Sequence, residues 1–262
     1  MKTKILMAAV VSLLVILVVS SAIPAGDKGQ GKKAENPAGP PEIEVVTFVN
    51  TPYWTSPPWY PHECDENADT YRLVMGGVQW GILPVDCAVY TSEAPAGAFD
   101  AIRPAFAEWD GQTSTDIYGS IGEDSTTTPP GLAVDDSNTV SWGHIDGPGG
   151  TIAMTQFVFW ANTKELIEFD IIFDHDEVWL ATDDSEVLPD PSDPGDPYPA
   201  TGQFDVWNVA THELGHTLVL DDLRSPKDGA LTMHAYTWPG DDVKRTLGLG
   251  DILGIQAIYG GP

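Results

Sequence analysis

Positive charge is scarce in this chain: 12 Lys and Arg stand against 39 Asp and Glu, a formal net charge of -27. Such a surface repels phosphate backbones and anionic lipid, which excludes nucleic acid as a partner class. Cysteine is nearly absent, with Cys64 and Cys87 the whole supply. In an exported protein a single pair is most simply one disulfide, so Cys64–Cys87 is expected. Internal repeats are missing as well. Only one long apolar run occurs, Ile5 to Val19, interrupted by Ser12 alone. It is shorter than the roughly 20 residues that a membrane-spanning helix needs.

What surrounds that run gives it a different meaning. Lys2 and Lys4 precede it, and the small residues Ser20, Ser21 and Ala22 follow. Residues 1–22 therefore read as a secretory signal peptide, and the protein as secreted. Membrane attachment would follow only if the segment stayed uncleaved. No cysteine lies near Ala22, so a lipoprotein anchor there is excluded. Residues 23–41, rich in Gly, Pro, Lys and Ala, form a flexible linker. Residues 42–79 read as an extension or propeptide-like segment packing on a single domain, 80–262. Aromatic content of 10%, with 9 Trp, supports a folded core, and a monomer is expected.

Periodicity sketches the elements. Glu42 to Val49 alternates toward a strand, and Thr51 to Pro61 is irregular. Tyr71 to Val74 and Val85 to Tyr90 look like strands bounded by Gly and Pro. Phe99, Ile102, Phe106 and Trp109 fall at helical spacing, predicting an amphipathic helix over 96–109 with Pro104 inside it. Strands follow around 117–121, 139–142, 152–160 and 166–173. An Asp/Pro loop covers 183–202. A helix over 204–218 has Asp205 as its N-cap. The last helix, about 250–259, sets Ile252, Ile255 and Ile258 on one face. The fold class is α/β (α+β).

His212 to Asp222 reads H-E-L-G-H-T-L-V-L-D-D. Histidines at i and i+4 project from one helix face, close enough for two imidazole nitrogens to hold one zinc ion. Glu213, on a neighbouring face, can reach a water as general base without being a ligand. Asp222 is the expected third ligand, with Asp221 adjacent as a competitor. A helix continuing past Val219 would instead recruit Asp241 or Asp242. Val219 stands where a turn back toward the metal would favour glycine. A β-branched residue at positive φ costs on the order of 1–2 kcal/mol.

These residues and four further segments resemble the matrixin branch of the metzincin metallopeptidases. Gly229-Ala230-Leu231-Thr232-Met233 resembles the family's Met-turn, and Gly250 to Gly260 its closing helix. Asp146-Gly147-Pro148-Gly149-Gly150 and Phe173-Asp174-His175-Asp176-Glu177-Val178-Trp179 resemble two further family segments, all in family order. The resemblance implies a twisted mixed β-sheet with two long helices above a cleft and a C-terminal helix below it. It implies a zinc endopeptidase acting on proteins or peptides, with zinc on His212, His216 and Asp222, the last as in snapalysin. It also implies calcium bound by Asp146, Asp174 and Glu177 with the carbonyls of Gly147, Gly149 and Thr151. Met233 would floor the metal site. Ile152, Ala153 and Met154 would lie on an unpaired edge strand to which an extended substrate adds, and Tyr236 would line the specificity pocket or donate to the oxyanion. Met154 and Ile172 replace histidines of the family's structural zinc, so no second zinc is expected. Cys64 lacks the Pro-Arg-Cys-Gly context of a cysteine switch. The alternative is an inactive, calcium-stabilised binding module of the same fold.

Overall fold

A computed structural model describes residues 15–19, as backbone of a strand, together with 42–52, 65, 67–182 and 202–262. The expected Cys64, most of the leader and linker, and the Asp/Pro loop lie outside the described residues. Eleven strands and three α-helices are described, in the order β1 (Val15–Val19), β2 (Ile43–Pro52), β3 (Gln79–Trp80), β4 (Val85–Tyr90), α1 (Ala98–Asp110), β5 (Tyr118–Asp124), β6 (Thr139–Gly143), β7 (Ala153–Trp160), β8 (Glu165–Asp174), β9 (Trp179–Leu180), β10 (Phe204–Asp205), α2 (Val206–Thr217), β11 (Tyr236–Thr237) and α3 (Leu249–Tyr259).

One mixed sheet runs β1-β2-β7-β8-β6-β4-β5, with β3 beside β8 and β11 beside β2. The pairs β4/β5, β4/β6 and β6/β8 are parallel, whereas β7 is antiparallel to both β8 and β2. The parallel strands differ in burial: β5 at the sheet edge is mostly exposed and β4 alternates, whereas β6 is buried on both faces. In β6 the residues Thr139, Val140, Ser141 and Trp142 are all buried. The buried side of α1 consists of Ala98, Ala101, Ile102, Ala105, Phe106 and Trp109, repeating at helical spacing, and Pro104 is accommodated inside the helix.

Helix α2 is buried along nearly all its length, and three aromatic side chains secure it. Trp109 Nε1 donates to Thr211 O at 2.9 Å, and Trp80 Nε1 to Thr217 O at 3.3 Å. Tyr118 bridges Leu214 O and Thr217 Oγ1. Each buries an apolar ring and spends its one polar atom on the helix. Asp205 caps α2 as expected, accepting from Asn208 N at 2.6 Å, and also pairs with the buried Arg245 guanidinium.

Three expectations need correction. Tyr71 to Val74 is not a strand: only Leu73 makes a bridge, to Leu220, and the Gly76-Gly77 turn follows at once. The buried face of α3 is Gly250, Asp251, Gly254 and Ile255, so only one of the three isoleucines is buried. A Cβ on Gly250 would lie 2.1 Å from Thr70 O, so backbone passes where a side chain would stand. The third correction concerns β7. Its edge is not open but paired along its whole length with β2, which also takes in Thr51 and Pro52 from the segment read as irregular. Val45, Val46, Phe48 and Asn50 of β2 are buried, so docking the strand removes considerable apolar surface from water.

Candidate metal centre

Helix α2 presents His212 and His216 one turn apart, and the chain then reverses. Val219 adopts φ 70° and is fully buried. The turn holds because its backbone groups are satisfied: Leu220 N donates to Gly215 O, Val74 N to Val219 O, and Asp221 N to Arg72 O. The strain anticipated at Val219 is real, and the turn follows the tight path. It delivers Asp222, whose Oδ1 lies 3.5 Å from His212 Nε2 and 3.6 Å from His216 Nε2. Among the described residues, these three are the one group of His, Cys, Asp and Glu donors whose atoms all lie within 4.8 Å of one another. Asp221 points instead to Arg72, at 2.9 Å. Asp241 instead accepts from Thr237 Oγ1 and Val243 N.

The donor set fits zinc. His212 Nδ1 lies 2.7 Å from Thr232 O, and His216 Nδ1 lies 2.8 Å from Leu220 O. A carbonyl only accepts, so each Nδ1 carries the proton and each Nε2 offers a lone pair to the centre. Burial lowers the proton affinity of both rings, which keeps them neutral and ready to ligate. Burial alone would raise Asp222, but its contacts with His212, His216 and Arg224 hold it well below the usual carboxylate range.

Glu213 is fully buried. Its Oε1 accepts from Asn50 Nδ2 at 2.9 Å and its Oε2 from Thr155 Oγ1 at 2.5 Å. Burial raises its proton affinity, opposed by the neighbouring His216 and by the Thr155 and Asn50 hydrogen bonds. Beneath the histidines, Met233 packs so closely on α2 that a Cβ on Gly215 would sit 2.2 Å from its sulfur. Asp251 holds this turn by accepting from Thr232 N, Met233 N and Gly248 N. The buried Lys244 donates to His234 O, and its charge further disfavours a proton on His212.

A model of the family described as Matrixin matches residues 87–260. The chain belongs to the matrixin family. This matrixin is 30% identical to interstitial collagenase of Equus caballus over 225 residues, covering 85% of the chain and 39% of the collagenase. It is 35% identical to macrophage metalloelastase of Oryctolagus cuniculus over 121 residues, covering 46% of the chain and 20% of the elastase. The matrixin thus spans well under half the length of these relatives.

Of the remaining expected residues, Ile152 and Ala153 are buried and Met154 half-buried, all facing β2 across the sheet edge. Tyr236 pairs with Thr51 of β2. Asp146 accepts from Thr151 N and Oγ1, Glu177 accepts from Gly149 N, and the fully buried Asp174 accepts from Asp176 N. Cys87 is buried, and its expected partner Cys64 lies outside the described residues. Phe48, Asn50 and Thr155 went unnoticed in the sequence. Nothing local marks Asn50, which meets Glu213 across 163 residues of chain. The alternation of β2 was the only available signal.

Proposed function

We propose that this matrixin is a secreted zinc endopeptidase that hydrolyses peptide bonds of proteins, with Glu213 as its general base. The observation that carries the reading is the convergence of His212, His216 and Asp222, with Glu213 beside them. A zinc ion held by those three residues would supply a Lewis acid that polarises a carbonyl and acidifies water. The chain's own residues supply the rest. The two imidazoles stay neutral because carbonyls hold their Nδ1 protons, and Asp222 brings one negative charge that offsets part of the metal's. Glu213, its proton affinity raised by burial, takes a proton from water and passes it to the leaving amine. Thr155 fixes the carboxylate's orientation through Oε2.

Calcium belongs to the same reading. Asp146, Asp174 and Glu177 crowd the Asp146–Thr151 loop, and Glu177 is raised first by burial and then by the charges of Asp174 and Asp146. A cation between them, with the carbonyls of Gly147, Gly149 and Thr151, would relieve that repulsion. A β-branched Val219 at the turn is the residue that would favour the inactive-module alternative. That support weakens once the strained turn is seen to bring Asp222 to both histidines.

Metal analysis of the purified chain should find one zinc, lost in Asp222→Ala. Glu213→Gln should keep zinc while casein hydrolysis falls by at least about a hundredfold. Equal clearing by this variant and the wild type would remove the reading.

A further inference from the structure

Cations are few in this chain, 12 Lys and Arg against 39 Asp and Glu, yet two arginines meet the adjacent aspartates that close the motif. Arg72 Nη2 lies 2.9 Å from Asp221 Oδ2, and Arg224 Nη2 lies 3.0 Å from Asp222 Oδ2. The first pair sits beside the turn. The second touches the third ligand itself.

The backbone sets up that second contact. Asp222-Leu223-Arg224 runs extended, because Leu223 N donates to Met233 O and Ala235 N donates to Leu223 O, a parallel bridge between Leu223 and His234. In an extended chain residues i and i+2 face the same side. Asp222 and Arg224 therefore stand side by side, while Leu223 between them is buried. The carboxylate is held at both oxygens. Its Oδ1 lies 3.5 Å from His212 Nε2 and 3.6 Å from His216 Nε2, and its Oδ2 accepts from Arg224.

All three ligands thus share one device. Each has two atoms that could face the centre, and each has one of them occupied. Thr232 O holds Nδ1 of His212, Leu220 O holds Nδ1 of His216, and Arg224 holds Oδ2 of Asp222. Partners of this kind fix which atom a ligand presents and how strongly it donates. Arg224 also carries a permanent charge that repels an incoming cation. Its side chain is 41% exposed, so solvent and salt screen that repulsion. The Asp222 side chain is 8% exposed, so little water competes for the hydrogen bond at Oδ2. Orientation outweighs repulsion.

We propose that Arg224 is a positioning residue of the metal centre, which presents Asp222 to the ion through Oδ1 alone and draws off part of the carboxylate's charge. This rests on the zinc peptidase reading of the same site. With Oδ2 withheld, Asp222 occupies one coordination position instead of two, and the ion stays a stronger Lewis acid than a free carboxylate would leave it.

The test uses the full chain, loaded with cobalt so that visible absorption reports the ligand arrangement independently of turnover, and with zinc for affinity and hydrolysis. Arg224→Met keeps the apolar stem and removes the donor. It should alter the cobalt spectrum, weaken zinc about tenfold in competition with a chelator, and lower kcat about tenfold at saturating zinc with KM little changed. Arg224→Lys restores a charged donor and should recover most of each effect. Arg72→Met deletes the same charge one aspartate away while keeping the backbone carbonyl that holds the turn. It should match the wild type in spectrum and affinity. At saturating zinc all four forms should melt within about 3 °C of one another, since partly exposed pairs contribute little to stability. An Arg224→Met chain with the wild-type spectrum, or with tighter zinc binding, would overturn the positioning role. Equal effects of Arg72→Met and Arg224→Met would overturn it too, by reducing the contact to general charge. Failure of the peptidase reading looks different: the wild type itself would retain neither zinc nor cobalt, or would cleave nothing that Glu213→Gln does not.

Discussion

Val219 concentrates the conflict between local preference and the needs of the site. Its φ of 70° is a conformation that glycine adopts freely and a β-branched residue resists, at a cost of about 1–2 kcal/mol. Its side chain is nevertheless wholly buried, which contributes about 1.5–3 kcal/mol. Glycine would also add roughly 0.5–1 kcal/mol of unfolded-state freedom. Burial wins this comparison. Val219→Gly should therefore destabilise the chain by about 1–2 kcal/mol in denaturant titration, despite relieving the strain, while zinc content stays near one. A clear gain in stability would mean that strain dominates. The sequence made the position conspicuous, but it could not say which way the turn ran. That was decided by Arg72 and Val74, whose backbones pin Asp221 and Val219 from far outside the motif.

The elements repeat that lesson on a larger scale. The boundaries of β4, β7, β8, α1 and α2 fall within a few residues of their sequence-based limits, because each carries its own period and its own cap or breaker. Asp205 could be named as an N-cap without knowing the tertiary structure. What stayed illegible was decided by pairing between distant segments. β2 alternates weakly on its own, and only its docking on β7 gives Phe48 and Asn50 their contacts with His216 and Glu213. Likewise the packing face of α3 could not be read from its isoleucines, since glycines there let backbone and neighbouring side chains approach. Gly215 is a case where both levels can be weighed. Alanine would improve helix propensity by about 1 kcal/mol. Its Cβ would meet Met233 sulfur at 2.2 Å and Trp109 Cζ2 at 2.8 Å, both in buried side chains. Overpacking of that kind costs about 1–3 kcal/mol and would push Met233 from beneath the histidines. Gly215→Ala should thus lower both melting temperature and zinc affinity. A variant with unchanged zinc affinity would show that the methionine floor does not position the ligands.

At the scale of the whole molecule, acidity reaches the interior as well as the surface. Asp170 on β8 is buried and carries a pKa raised from 3.8 to about 7, chiefly by burial, with the charges of Glu168 and Asp135 adding to it. Hydrogen bonds from Thr139 Oγ1 and Ala133 N oppose the shift without cancelling it. The folded state therefore holds a proton that the unfolded chain has already released. The stability this proton contributes is complete below the unfolded value of 3.8 and is lost as pH climbs through about 7. Asp170→Asn mimics the protonated side chain at every pH. It should flatten the stability profile across that window and stabilise the protein at pH 8 by about 1–2 kcal/mol, each pKa unit being worth about 1.4 kcal/mol. The gain falls short of the full shift because Ala133 N–H would face an amide donor in place of an acceptor. Urea unfolding at pH 4 and pH 8, with metal held saturating, measures the difference. If wild type and variant lose stability in parallel between those two pH values, the buried proton lies elsewhere, and Glu168, also raised by burial and bonded to Asp135 N and Asp136 N, is the next group to replace.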